Sequence, residues 1–399
     1  MHHRIIKKIR NFSLAFICFL CMPCIYLYAD NAEKVEDYLN NLFLSGALVD
    51  PSGDLTNILF YLDSLDPAAA NAAFIQLQPS WYADLDWSTE NSIVNASKII
   101  GNNILARLRE YKNCSDYCFD DCVPYRNFWV AAMGGHLQQH SLQELPAFHS
   151  NDWGAISGLD FVLAKWLSLG ISAGYTHSQL EWDDLRGSNS IDNFYVGPYF
   201  VWSCGCWALD GSLLKGSHQY HSRRHLSFGF VNRRTRNTHY GDSILGHLEL
   251  TRNWCWNIFS LTPYLSADYV YIHVNSIKEK GANNLDLKIK SHCTEFFQGE
   301  VGAAFSGSYY AGNALIVPTV KAGFQNITPI MGTKLKAKLQ TQPGHFTVKT
   351  TNEPIYQWTT GLFVNIYVQD CPEFSFSYNG AWGKHRREYC FTGEVDWSF

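Results

Sequence analysis

The chain has 399 residues, 46% apolar, 17% charged and 15% aromatic, which is enough to bury a large core and too rich in Tyr, Phe and Trp for a disordered segment or a small disulfide scaffold. A formal net charge of −5 without a long basic run gives no ground for expecting nucleic acid as a partner. Beyond the N-terminus no uninterrupted apolar stretch reaches the length of a spanning helix, so a soluble β-rich protein or a transmembrane β-barrel remains.

Residues 1–29 read as a secretory signal peptide. Arg4, Lys7, Lys8 and Arg10 precede the apolar run LAFICFLCM, and Leu27-Tyr28-Ala29 offers a cleavage site. A lipoprotein signal does not fit, because Cys21 follows Leu20 and Cys24 follows Pro23 where a small residue is needed. Removing the leader leaves 27 basic against 36 acidic residues, a net −9. The exported chain is acidic.

Residues 30–91 form a short helical or linker segment, with helices expected at Asp54 to Leu65 and Ala68 to Leu77, the second started by Pro67. Residues 92–126 hold a longer helix, from Ser92 to Lys112, and a cysteine-bearing linker. In that helix Ile93, Ala96, Ile99, Ile100, Ile104, Leu105 and Leu108 keep helical spacing while Asn95, Gly101, Asn102 and Asn103 keep the other faces small and polar. Cys114, Cys118 and Cys122 follow. No histidine stands near them at zinc-site spacing, so disulfides are expected rather than a metal, and no cofactor is expected. They belong to nine cysteines left after the leader, an odd number that leaves at least one thiol free or paired to another chain. Cys204 and Cys206 bracket Gly205 at a turn and are better placed for other partners than for each other.

From residue 127 to residue 399 the pattern is alternation. Leu167, Leu169, Ile171, Ala173 and Tyr175 interleave with Ser168, Gly170, Ser172, Gly174 and Thr176, and the same grammar recurs from Leu261, Trp358 and Phe374. A soluble sandwich would place Lys and Glu on its polar face, whereas Gly, Ser, Thr and Asn dominate here and the apolar faces end in aromatics. Lipid outside and a polar lumen inside require that composition. The predicted fold is an all-β transmembrane barrel of about twelve antiparallel strands, starting near Asn127, Asp152, Leu167, Ile191, Gly205, Thr238, Ile258, Ser291, Ala314, Ile355, Cys371 and Glu388. In the last of these Tyr389, Phe391, Val395, Trp397 and Phe399 share one face. A terminal Phe399 with Trp397 and Val395 before it looks like the signal by which outer-membrane assembly machinery selects its barrels.

Between His218 and Gly241 the cations Arg223, Arg224, Arg233, Arg234 and Arg236 cluster among histidines. This segment is expected to be a solvated outer loop between strands, or else to bind anions such as lipopolysaccharide or host glycans, or to sit in the lumen opposite Asp and Glu residues. Asp183, Asp184, His218 and Asp242 are the candidates for an enzyme's acid and histidine pair, although neither GxSxG nor HExxH occurs and no enzymatic role is expected.

At this point the chain resembles the autotransporter β-domain family over roughly residues 68–399. IIGNNILARLREYK resembles the helix that threads the lumen, and NFWVAAMGGHLQQH the first strand. WGAISGLDFVLAKWLSLGISAGYTHSQLEW resembles the second hairpin, with Gly158, Asp160, Gly170, Gly174 and Tyr175, and FYVGPYFVW the fourth strand, with Gly197 and Tyr199. The resemblance implies a twelve-stranded barrel in the outer membrane of a Gram-negative bacterium, plugged by one helix, through which an N-terminal passenger reaches the surface. It implies a surface translocator, adhesin or envelope component, with a small-solute pore as the alternative. Asn102-Asn103 resembles the self-cleavage site of one branch. Only about 60 residues separate Ala29 from the long helix, without a repeated β-helix pattern. The expected partners are therefore outer-membrane lipid and lipopolysaccharide, the barrel assembly machinery, and a host surface or a separate passenger protein.

Overall fold

The structure is a computed structural model that describes residues 31–398 apart from 114–125, 143–144, 165, 184–186, 332–333 and 369–371, with only the backbone of 103–113. Residues 1–29, expected to be a leader, and Cys114, Cys118, Cys122 and Phe399 lie outside the described residues.

Twelve long strands form the wall: β1 Arg126–Gln139, β2 Phe148–Ala164, β3 Leu167–Trp182, β4 Gly187–Cys204, β5 Trp207–Phe228, β6 Val231–Arg252, β7 Phe259–Val274, β8 His292–Gly307, β9 Ala314–Met331, β10 Ile355–Val368, β11 Glu373–Gly383 and β12 Arg386–Ser398. Every neighbour is antiparallel, and all but the closing pair follow one another in sequence. The ring closes where β1 pairs with β12 from Asn127↔Ser398 to Gln139↔Arg386. Closure leaves no sheet edge in the lipid, the condition for a spanning sheet. The alternating pattern places Ile171, Leu213, Leu248, Val320 and Leu362 outward and exposed, and Ser172, Thr176, Asn193, Asp210 and Ser266 inward and buried. Outward Trp153, Tyr240 and Trp358 ring one end, and Trp166, Trp207, Trp254 and Trp397 the other. These match the aromatic girdles of an outer-membrane wall.

The two ends differ. At the end carrying Arg126 and Ser398 the connections are the short runs 165–166, 205–206, 253–258, 308–313 and 369–372. At the opposite end the long runs 275–291 and 332–354 contain four short strands, Ile277–Lys278, Leu287–Ile289, Lys334–Leu339 and Phe346–Lys349. They pair in the order in which β7, β8, β9 and β10 stand beneath them, and Lys280 bridges to Arg236 of β6. This second sheet therefore continues the wall upward as a collar. Its sector is made taller by β5 and β6, of 22 residues each.

The inner face of the collar is apolar, with Ile277, Leu287, Ile289, Leu335, Phe346 and Val348 buried. Three helices join this core: α1 Asn31–Leu44, α2 Asp54–Asp63 and α3 Pro67–Leu77. Helix α3 is capped by Asp66, whose carboxylate accepts from the N–H groups of Ala68 and Ala69, with Pro67 at its first turn. Tyr38 of α1 packs on Phe346 and donates to the Pro343 carbonyl (3.0 Å), and burial pushes its phenol up to about 12. The Asn31 side chain pairs both ways with the backbone of Lys349 (2.7 and 3.1 Å), as Gln342 does with Val49 (2.7 and 2.9 Å). The cap is hydrogen-bonded and packed onto the tall side.

Candidate functional site

The lumen is the candidate site, and a helix fills it. Helix α4, Asp84–Asn113, follows a short 3-10 turn at Ser80–Ala83 and begins eight residues before the expected Ser92. Residues 84–91, DLDWSTEN, show no continuous apolar stripe because most of them meet polar wall residues, while Trp87 packs on Phe296 with ring centroids 4.7 Å apart. Their acids Asp84 and Asp86 suit a helix N-terminus. At about 1.5 Å per residue its 30 residues span about 45 Å, more than the hydrocarbon thickness.

Contacts descend the lumen along the helix. Near its start, Trp182 Nε1 donates to Asp84 (2.9 Å) and Thr294 to Asp86 (2.6 Å). Ser88 meets Ser150 (3.2 Å), Thr89 meets Tyr220 (3.0 Å), Ser92 meets Thr176 (2.8 Å) and Ser97 meets Ser212 (2.9 Å), while Asn91 donates to Asp152 (3.1 Å). Charges are matched as well. Arg386 reaches Glu90 and Glu388, both at 2.9 Å, and Lys98 lies 3.7 Å from Glu300. Lower down, His247 lies between Asp268 (2.7 Å) and Asp210 (3.5 Å) beside Gly101, where a Cβ would meet Asp210 at 3.6 Å. A cavity of about 60 Å³ remains beside the helix, lined among others by Asn102, Glu249, Lys321 and Glu394. Among the described residues that is room for a water or two.

In the wall, the residues quoted for the family resemblance converge. Trp129 is buried in the lumen over Gly158, its cross-strand neighbour, and Tyr199 lies over Gly170. Trp129 Nε1 donates to the Tyr199 hydroxyl (2.9 Å), which donates to Asp160 (2.7 Å). Any side chain at Gly158 or Gly170 would occupy the ring's place. The two glycines let aromatics from β1 and β4 lean across β2 and β3 and meet.

The other predicted residues fall as follows. Val395 pairs with Val130, and Trp397 faces outward and stacks on Phe128 with ring centroids 5.9 Å apart. Asn102 is half-buried on α4, whereas the side chain of Asn103 lies outside the described residues. The segment expected as a loop from 218 to 241 is instead the extramembrane half of the β5–β6 hairpin, turning at Gly229-Phe230. Its outer face is polar and its inner face mixes Tyr220, Leu226 and Val231 with Ser222, Arg224 and Thr235, so the apolar strand signal is weak. Arg224 points inward to Glu279 and Arg233 binds Asp54 of α2, so both hold the cap, while Arg223, Arg234 and Arg236 point outward. His218 faces the lumen between Asn193 and Ser243 (both 2.7 Å), but Asp242 faces outward and accepts from Ser217. The candidates His218 and Asp242 are thus not brought together, Asp184 lies outside the described residues, and Asp183 meets His149 (3.0 Å). Cys204, Cys206, Cys255, Cys293 and Cys390 are free thiols, the first three at the short-turn end.

A closed barrel with a helix through its lumen defines an outer-membrane translocator of the type V class. The profile of the autotransporter beta-domain family matches residues 128–379. The chain belongs to that family. It is similar in fold to the translocator domain of the autotransporter NalP from Neisseria meningitidis, at 14% identity and a TM-score of 0.54 over 76% of this chain and 98% of that one. It is also similar to the beta domain of the Bordetella autotransporter BrkA, at 18% identity and 0.52 over 69% and 99%. No curated protein sequence matches it.

Proposed function

We propose that this barrel carries its own N-terminal cap, residues 31–77, to the bacterial surface and holds it there as a short surface module. The supporting observation is the path of the chain. The cap lies at the long-connection end, and the descending contacts of α4 place its C-terminal half toward the end where β1 begins, so the route between them runs through the lumen. Long connections are the extracellular side of outer-membrane barrels and short turns the periplasmic side. The role is transport and display rather than catalysis. The test is an epitope inserted between Gly46 and Ala47, in the exposed connection after α1. Antibody should bind it on intact cells, and binding only after the envelope is opened would refute the reading.

A further inference from the structure

The outer face of the collar is paved with lysine. Alternation that buries Ile277, Leu287, Ile289, Leu335 and Ala337 inward turns Lys278, Lys280, Lys288, Lys290, Lys336 and Lys338 outward, and Lys334 and Lys349 stand paired at the far edge. Lys288 is directly opposite both Lys278 and Lys338, giving an unbroken cross-strand row of three cations. A second row runs from Lys280 to Arg236 to Arg223. Like charges directly opposite destabilise a sheet. The acids of this region do not relieve them, because Glu279 points inward to Arg224 and Asp286 accepts from the turn N–H groups of Gly281 and Ala282. In a chain whose exported part is acidic, this concentration of uncompensated cations on one face calls for an anionic counterpart.

Its height gives the counterpart. Outward Ile244 and Leu248 on β6 belong to the lipid-facing band, and Tyr240 stands above them in the aromatic girdle. The Asn275 N–H donates to the Tyr240 carbonyl (2.9 Å), so Lys278 lies three residues beyond the girdle and Arg236 four, about 10 and 14 Å along a strand. With strands tilted by about 40° these become about 8 and 11 Å of height, at the outer edge of the headgroup layer, and the rows run across the strands, around the barrel. The face is the side of the wall rather than its mouth. We propose that the lysine collar binds the phosphorylated headgroups of the glycolipid in the surrounding outer leaflet. His345, beside the collar, feels the same field: slight burial, then the charges of Lys290, Lys336, Lys338 and Lys288, hold it below its ordinary value.

The test uses the full chain refolded into phosphatidylcholine vesicles with and without diphosphoryl lipid A, and pulse acetylation of lysines read by mass spectrometry. Lipid A should slow labelling of Lys278, Lys288 and Lys338 by about fivefold, the scale for a cation beside an anionic membrane surface, and leave Lys34 on α1 unchanged. Equal labelling in the two vesicles would overturn the proposal. So would protection by soluble heparin in lipid-A-free vesicles as strong as that by lipid A, since the face would then be a general polyanion surface. The triple variant K278Q/K288Q/K338Q removes outward charges while keeping the stems. It should fold with the usual gel shift yet retain several-fold less lipid A through purification, and unchanged retention would equally overturn the assignment.

Discussion

Arg386 on the closing strand donates through Nη1 to Glu90 of the lumenal helix at 2.9 Å, both side chains being about 1% exposed. The pair joins the last strand of the barrel to its plug, and Arg386 also holds Glu388 and the Asn91 side chain. Breaking one side of a buried pair costs about 3–5 kcal/mol because the other charge stays unpaired. Arg386→Met should therefore lower the urea midpoint markedly and loosen the helix. Single Glu90→Gln, which keeps a hydrogen-bond acceptor, should cost less. Equal midpoints for R386M and the parent would refute the coupling.

The helix as plug predicts an electrical difference. The full chain in planar bilayers should be closed, and a chain beginning at Asn127 should conduct through the vacated polar lumen. Equal conductance of the two would restore the small-solute pore reading.

Gly170 predicts a packing effect. Gly170→Ala places a methyl where the Tyr199 ring lies, displacing the hydroxyl that bridges Trp129 and Asp160. Overpacking of this kind costs about 1–3 kcal/mol. Tyr199→Phe, which keeps the ring and loses the bridge, should cost about 1–3 kcal/mol for the polar partners left buried. A refolding midpoint unchanged in both variants would show that the bridge is incidental.

Removal of Phe399 tests recognition by the assembly machinery. One apolar side chain is worth at most about 1.5–3 kcal/mol, too little to unfold a barrel. Detergent refolding should stay nearly intact while the outer-membrane fraction in cells falls sharply. Equal membrane yields would make this an ordinary strand end.

His345 gives the pH signature of the collar. Its depressed value means that its contribution to stability is present above the unfolded histidine value, near 6.5, and is lost as pH falls through the folded value. Lipid A should neutralise the neighbouring lysines and raise the His345 titration midpoint toward ordinary. Carbon-labelled histidine followed by NMR would read the shift, and an unmoved midpoint would argue against phosphate at the collar.

The barrel was legible in the sequence because lipid and lumen impose opposite demands on alternate residues. Each of the twelve expected strand starts falls on or near an observed strand. What escaped lies beyond the lipid. The β5–β6 tip is strand without apolar residues on its outer face, and the collar strands Leu287–Ile289 and Lys334–Leu339 alternate lysine with aliphatics in runs too short to stand out. The pattern LDLKIK and KLKAKL carried the signal, but only the packing of α1 to α3 explains why its apolar face is buried. Likewise, the start of α4 at Asp84 depends on a polar wall that no local pattern reveals.

The β1–β12 seam has a consequence for biogenesis. Strand β1 finds its second neighbour only when β12 is present, after every intervening hairpin, so a chain that stops short presents β1 as a bare edge to the membrane. Completion is thus checked by geometry: an unfinished product cannot become a finished cylinder, and whatever holds the waiting edge must hold it until the final hairpin arrives.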